Sequence, residues 1–329
     1  MPENPIQSTI SFETDGVSHG FLKLPWSRDD SAWGSLMIPI TVIRNGSGPT
    51  ALLTGGNHGD EYEGPVALFD LANTLQYTEI SGRVILIPAM NYPAFQVARR
   101  TSPIDQGNMN RSFPGNPCGT ITEKIADYFQ QVLLPMADIV LDIHSGGKTL
   151  DFVPFCASHV LQDKSQEQRC VEVRDAFNAP YSLQLLELDM VGMYDSAAEE
   201  MGKTFISTEL GGGGSASAAS IQIAKRGIRN VLKYSGILSG SFQLDTSKEL
   251  EMPDEQCFIT SESKGLLEMR VNLGEFVKTG DHVASVHETS RTGVRPLEYR
   301  AQLDGILIGR HFPGLITMGD VVAVVGVEK

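Results

Sequence analysis

His58 and Glu61 stand three positions apart in His58-Gly-Asp-Glu61, at a turn entering a helix. One turn of helical geometry can place such an imidazole and carboxylate on a single cation. His144 adds a second imidazole from a different strand. His, Glu and His with one position left open is the composition of catalytic zinc, whose fourth place takes water or substrate. The plain alternative makes His58 a helix cap, Glu61 a solvated first-turn acid and His144 a satisfied core histidine. That would suffice for an isolated His-x-x-Glu. Against it, His144 ends a buried apolar strand and is followed by Ser145-Gly-Gly147. Glu209 is an incongruous ending for Thr204-Phe-Ile-Ser-Thr208. Near a cation, such a carboxylate can take a proton from water and pass it to a leaving amine. Its alternative role is to face the dipole of the helix after Gly211-Gly-Gly-Gly214. Those glycines lack the following Gly-Lys-Ser/Thr of a phosphate loop, so nucleotide binding is not expected.

The segment from Arg99 to Gly115 reads as a loop dense in Pro, Gly and Asn, yet it carries Arg99, Arg100 and Arg111. A guanidinium suits bidentate recognition of a carboxylate, or stabilisation of an oxyanion. One arginine for each task is a sensible division. Pairing with an acidic surface is the alternative.

The elements that must hold these residues alternate between strand and helix. Thr50–Thr54, Arg83–Pro88, Asp138–His144 and Lys203–Glu209 read as strands. A helix is expected through Pro65–Ala72. Another, opened by the capping box Thr120-Ile-Thr-Glu123, is expected through Ile125, Tyr128, Phe129 and Val132. A long helix ends near Tyr234. This alternation predicts an α/β fold with a mixed, largely parallel sheet and helices on both faces. The four candidate residues then lie at or beyond the carboxyl ends of strands, where open α/β sheets bind ligands.

After Gly240 the pattern changes. Thr246 to Glu255 reads as a polar, acidic linker, so the expected division is a catalytic unit over residues 1–245 and a small all-β unit over 246–329. The tail contains a repeat: Gly265-Leu-Leu-Glu-Met-Arg270 matches Gly305-Ile-Leu-Ile-Gly-Arg310. Gly274 then matches Gly314, Gly280-Asp281 matches Gly319-Asp320, and Val283-Ala284 matches Val322-Ala323. Two similar strand sets imply a pseudo-symmetric β domain.

Length and composition permit all this. The 329 residues suffice for a large domain and a companion. No apolar run approaches membrane-spanning length, and the start does not read as a signal peptide. Cys118, Cys156, Cys170 and Cys257 have no paired spacing, which suits a reducing cytoplasm rather than a disulfide framework. A formal net charge of −14 argues against nucleic acid and anionic membranes as partners. Its plain alternative is a solvated surface suited to a salty cytoplasm.

Four stretches together resemble the succinylglutamate desuccinylase/aspartoacylase family, within the zinc-carboxypeptidase-like fold. They are Gly56-Asn-His-Gly-Asp-Glu-Tyr-Glu-Gly64, Asn108-Met-Asn-Arg-Ser-Phe-Pro-Gly115, Asp142-Ile-His144 and Thr208-Glu-Leu-Gly-Gly212. The resemblance implies one zinc ion per chain, held by His58, Glu61 and His144, with Glu209 as general base and acid. It implies that Asn110 and Arg111 hold a substrate carboxylate, and that the carbonyl-polarising arginine falls on Arg100, with Arg99 as the other candidate. Ser27-Arg-Asp-Asp-Ser-Ala-Trp-Gly34 and Met37-Ile-Pro-Ile-Thr-Val42 are similar to a branch that deacetylates N-alpha-acetyl-L-2,4-diaminobutyrate in ectoine breakdown. Glu187 and Asp189 are compatible with its cationic side chain. The tail resembles the barrel-sandwich hybrid of biotinyl and lipoyl carriers. The interval His287 to Leu303 contains no lysine to modify, so a lid, gate or oligomer contact is expected instead.

The implied activity is hydrolysis of a small N-acyl amino acid. The partners expected are that small N-acyl amino acid and, through the tail, a second copy in a homo-oligomer. The rivals are an N-succinylglutamate or N-acetylaspartate deacylase, a metallocarboxypeptidase and a non-catalytic zinc- or ligand-binding module. Retention of Glu209 beside the metal set counts against the last.

Overall fold

All six residues of Thr50–Gly55 are buried, as a strand covered on both faces requires. In the computed structural model of the chain, which describes residues 3–242 and 244–329, this strand lies between Gly82–Ile87 and Ile139–His144. It is parallel to both, and Ile139–His144 is parallel in turn to Thr204–Glu209. Side chains alternate between two cores, following the period of two. Leu53, Leu141, Ile143 and Ile206 face helices Glu63–Thr74, Lys164–Phe177 and Ala218–Tyr234. Leu52, Val140, Ile85 and Phe205 face helices Ile121–Tyr128 and Tyr194–Glu200. The expected α/β sheet with helices on both faces is therefore present.

Antiparallel strands extend this parallel centre. The hairpin Gly16–Pro25/Ser35–Asn45 adds to Gly82–Ile87 on one side, burying Leu22, Leu24, Ile38 and Ile40 in the second core. On the other side Phe155–Ser158 runs antiparallel to Thr204–Glu209, followed by Tyr181–Gln184. The capping box forms as expected: Glu123 N–H donates to Thr120 Oγ1, and Thr120 N–H donates to Glu123 Oε2. The α-helix stops at Tyr128, however, and the chain continues through a wider π turn, Phe129–Leu133, whose end residues are both buried.

The stretch expected to be a linker contributes a strand. Lys248–Glu251 pairs in parallel with Tyr181–Gln184 and antiparallel with Val321–Glu328, so the tail continues the main sheet. Its single apolar residue, Leu250, is buried with Val153, Phe155 and Leu183 of the preceding unit and Ile306, Ile308 and Val324 of the tail. One inward side chain on an edge-joining strand explains why the segment is acidic yet ordered.

The repeat is structural. Gly265–Met269 pairs with His282–His287, as Gly305–His311 pairs with Val321–Glu328. Each repeat also lends a short strand to the other: Leu315–Ile316 joins Gly265–Met269, and Phe276–Val277 joins Gly305–His311. Gly280 and Gly319 occupy equivalent turns at φ +91° and +93°, which favour glycine. Asp281 and Asp320 close those turns by accepting from Lys278 N–H and Thr317 N–H, each at 2.8 Å.

Candidate metal centre and active-site cleft

The chain leaves Thr50–Gly55 through Gly56, at φ +60°, and enters the helix Glu63–Thr74. Between them Gly59 packs so closely on Ala94 that a Cβ would lie 2.1 Å from its carbonyl carbon. This tight turn sets His58 and Glu61 above the strand end. His144 arrives from the end of the neighbouring strand, and all three are buried. His58 Nδ1 lies 2.7 Å from Glu61 Oε1, and His144 Nδ1 lies 2.9 Å from Glu61 Oε2. One donor atom from each residue falls within 4.8 Å of the others. Two imidazole nitrogens and a carboxylate facing one buried point fit a zinc ion by donor type and number. Burial opposes the Glu61 charge, but the two imidazoles hold its carboxyl well below the usual range. Burial pulls the His58 pKa down.

Asp142 joins the site behind His144, and the sequence reading assigned it no role. Two positions before His144 on the same strand, it shares that residue's face. Its Oδ2 is 2.7 Å from His144 Nε2 and also accepts from Asn57 Nδ2, while Oδ1 accepts from Thr54 Oγ1. A carboxylate behind a ligand imidazole fixes which nitrogen faces the cation. Burial disfavours both charges, yet the pairing holds the Asp142 carboxyl below its usual range and the His144 imidazole well above its own. The signal was the Asp-x-His spacing on a strand.

Glu209 stands opposite His144 in the register of the two parallel strands. It lines the cleft, and its Oε2 is buried without a hydrogen-bond partner among the described residues. Burial, reinforced by the Glu61 charge, pushes its carboxyl well above the ordinary range. Such a group is suited to exchanging a proton. Arg100 lines the same cleft, with Nη1 3.7 Å from Glu61 Oε1 and half its side chain exposed. Arg99 is exposed and lies outside the cleft lining; its carbonyl accepts from Gly59 N–H.

Asn110 and Arg111 sit on the short 3-10 turn Met109–Arg111, capped by Asn108. Asn110 Oδ1 accepts from Tyr194 N–H at 3.0 Å, which leaves the amide nitrogen to the cleft. Arg111 lines the cleft from an exposed position. The cleft measures about 340 Å³, and Glu187, Asp189 and Asp195 also line it. Tail residues Phe258, Ile308, Val321 and Val324 contribute to its wall.

Residues 47–235 match the succinylglutamate desuccinylase/aspartoacylase catalytic domain. The chain is 54% identical over 324 residues to the N-alpha-acetyl-L-2,4-diaminobutyric acid deacetylase of Halomonas elongata, covering 98% of this chain and 95% of that one. Its fold superposes, with a TM-score of 0.98 and 63% identity, on the product-bound ectoine utilization protein EutE (DoeB) from Ruegeria pomeroyi. That match covers 99% of this chain and all of the other. A succinylglutamate desuccinylase/aspartoacylase from Rhodobacter sphaeroides matches at TM-score 0.94 and 39% identity, again over 99% of this chain and all of the other. The chain belongs to the succinylglutamate desuccinylase/aspartoacylase family.

Proposed function

We propose that this protein hydrolyses the amide bond of a small N-acyl amino acid, and that its substrate is N-alpha-acetyl-L-2,4-diaminobutyrate, an intermediate of ectoine catabolism. The observation that carries the chemistry is the gathering of His58, Glu61 and His144, with the cleft-lining Glu209 carboxyl, whose Oε2 has no hydrogen-bond partner among the described residues. The substrate rests on the likeness to the Halomonas enzyme and to EutE.

His58, Glu61 and His144 would hold one zinc ion, which when bound polarises a carbonyl and makes water acidic enough to attack. Glu209 takes the proton from the attacking water as its oxygen bonds to the acyl carbon. Arg100 donates to the oxyanion that develops on the acyl oxygen. As the C–N bond breaks, Glu209 returns the proton to the departing amine, giving acetate and a free amino acid. Asn110 and Arg111 fix the α-carboxylate and so align the amide.

Residues 1–245 act in this reading as the catalytic unit and 246–329 as a companion that closes the cleft. A cleft of about 340 Å³ walled by tail residues suits a small substrate better than a peptide, which weighs against a carboxypeptidase. A cytoplasmic setting fits four cysteines that are all free; among the described residues no helix is long and apolar enough to cross a membrane. The test is competition of N-alpha-acetyl-L-2,4-diaminobutyrate, N-acetylaspartate and N-succinylglutamate on the zinc-loaded protein. The expected order of kcat/KM places the diaminobutyrate first. Preference for an acidic side chain rejects that substrate and leaves the deacylase chemistry standing.

A further inference from the structure

His159, Glu187 and Asp195 form a second polar cluster that the hydrolytic steps do not use. One atom from each lies within 4.8 Å of the others. Glu187 and Asp195 line the same cleft as His144 and Arg111. Asp195 is only 6% exposed. Its Oδ1 accepts from Ser196 N–H and Oγ, while Oδ2 receives no hydrogen bond from the described residues. Among those residues, no lysine or arginine forms an ion pair with Glu187 or Asp195; the nearest charged partner is His159, 3.9 Å from Glu187 Oε1. Burial, and then the charge of Asp195, push the Glu187 carboxyl up. His159 is shared with Glu199, and the Arg111 charge also bears on Glu187, yet carboxylates remain in excess at this wall, which a cationic ligand would offset.

His159 provides an independent pointer. It is 5% exposed, its Nδ1 is 2.9 Å from Glu199 Oε1, and its Nε2 faces the cluster buried and without a hydrogen-bond partner among the described residues. Burial opposes its charge, but the Glu199 hydrogen bond and the surrounding carboxylates push its pKa up to about 9. The Glu199 contact at Nδ1 fixes the ring with Nε2 turned toward the carboxylates of the cleft wall.

We propose that Glu187 and Asp195 receive the side-chain ammonium of the N-acyl amino acid and set the specificity of the enzyme, with His159 as a positioning residue behind Glu187. This rests on the substrate reading above. Tyr194 N–H fixes Asn110, and Asp195 is the next residue along the chain. The group that holds the α-carboxylate and one that takes the ammonium thus belong to a single packed segment. Their separation selects a side chain of matching length as well as charge.

The test compares N-alpha-acetyl-L-2,4-diaminobutyrate with N-acetyl-L-norvaline, which replaces the ammonium by a methyl of similar size. The zinc-loaded wild type, Asp195→Asn and Glu187→Gln are assayed on both, with zinc counted per chain. Each variant is expected to lose about 10–100-fold in kcat/KM on the cationic substrate, as for a lost hydrogen bond to a charged group, and at least tenfold less on the isostere. Variants that retain the wild-type preference overturn the inference, as does equal loss on both substrates. A second zinc equivalent in the wild type that disappears in the variants overturns it in favour of a metal site. A wild type with no preference for the ammonium instead overturns the substrate reading on which the inference rests.

Discussion

Asp142 Oδ2 lies 2.7 Å from His144 Nε2, and the opposite ring nitrogen, Nδ1, faces Glu61. The imidazole is held from behind by a carboxylate that is itself fixed by Thr54 and Asn57. Asp142→Asn keeps the shape and removes the charge. Zinc affinity is expected to fall about 10–100-fold, with activity recovering when zinc is added in excess. Wild-type zinc affinity in that variant would refute the supporting role.

His144→Ala removes a donor outright. Zinc content and turnover should be lost together, because two protein donors remain where a catalytic zinc needs three. Full zinc occupancy with normal rates would remove His144 from the metal set.

Glu209 faces the site from an adjacent strand, and its Oε2 has no partner among the described residues. Glu209→Gln is expected to keep the zinc and lose about 10²–10⁴-fold in kcat, the effect of a missing proton acceptor. Zinc loss in proportion to the rate loss would make Glu209 a ligand instead.

How much of this the sequence disclosed depends on how local each signal was. His58, Glu61, His144 and Glu209 stood out because each polar residue terminates or follows an apolar strand run. Local periodicity therefore placed all four at one end of the sheet. Glu187 and Asp189 were legible as acids, but their neighbours Asp195 and His159 were not. Those two come from separate segments, and only the tertiary fold brings them together. Lys248–Glu251 was read as a linker because three of its four residues are charged; a single inward leucine is too weak a signal of a strand. The tail repeat was visible, but the exchange of Phe276–Val277 and Leu315–Ile316 between its halves follows from pairing across some 30 to 50 residues of chain, beyond the reach of any local pattern.

The His159 pairing predicts a stability that depends on pH. Its folded pKa is raised from 6.5 to about 9 against the background of Glu199, Asp195 and Glu187. Its pairing therefore stabilises the native state fully below pH 6.5, and that contribution is lost as pH rises through about 9. The linkage is worth on the order of 3 kcal/mol at most. Urea unfolding of the wild type and His159→Gln at pH 6 and pH 9.5 should show a larger gap at the lower pH. A gap independent of pH would mean that the histidine contributes packing alone.

Gly309 tests whether the tail shapes the cleft. It lies on the tail strand Gly305–His311, opposite Phe152 in the pairing with Leu150–Phe152. A Cβ there would come within 2.5 Å of Phe152 Cε1. Phe152 lines the cleft and packs edge-on against Phe155, with ring centroids 5.7 Å apart. Gly309→Ala must therefore displace an aromatic ring toward the substrate space or push the two strands apart. The expected outcome is an overpacking cost of about 1–3 kcal/mol, a raised KM and unchanged zinc content, since no donor moves. Unaltered KM with unaltered stability would show that the tail can yield without reaching the cleft, and would reduce it to a passive neighbour of the site.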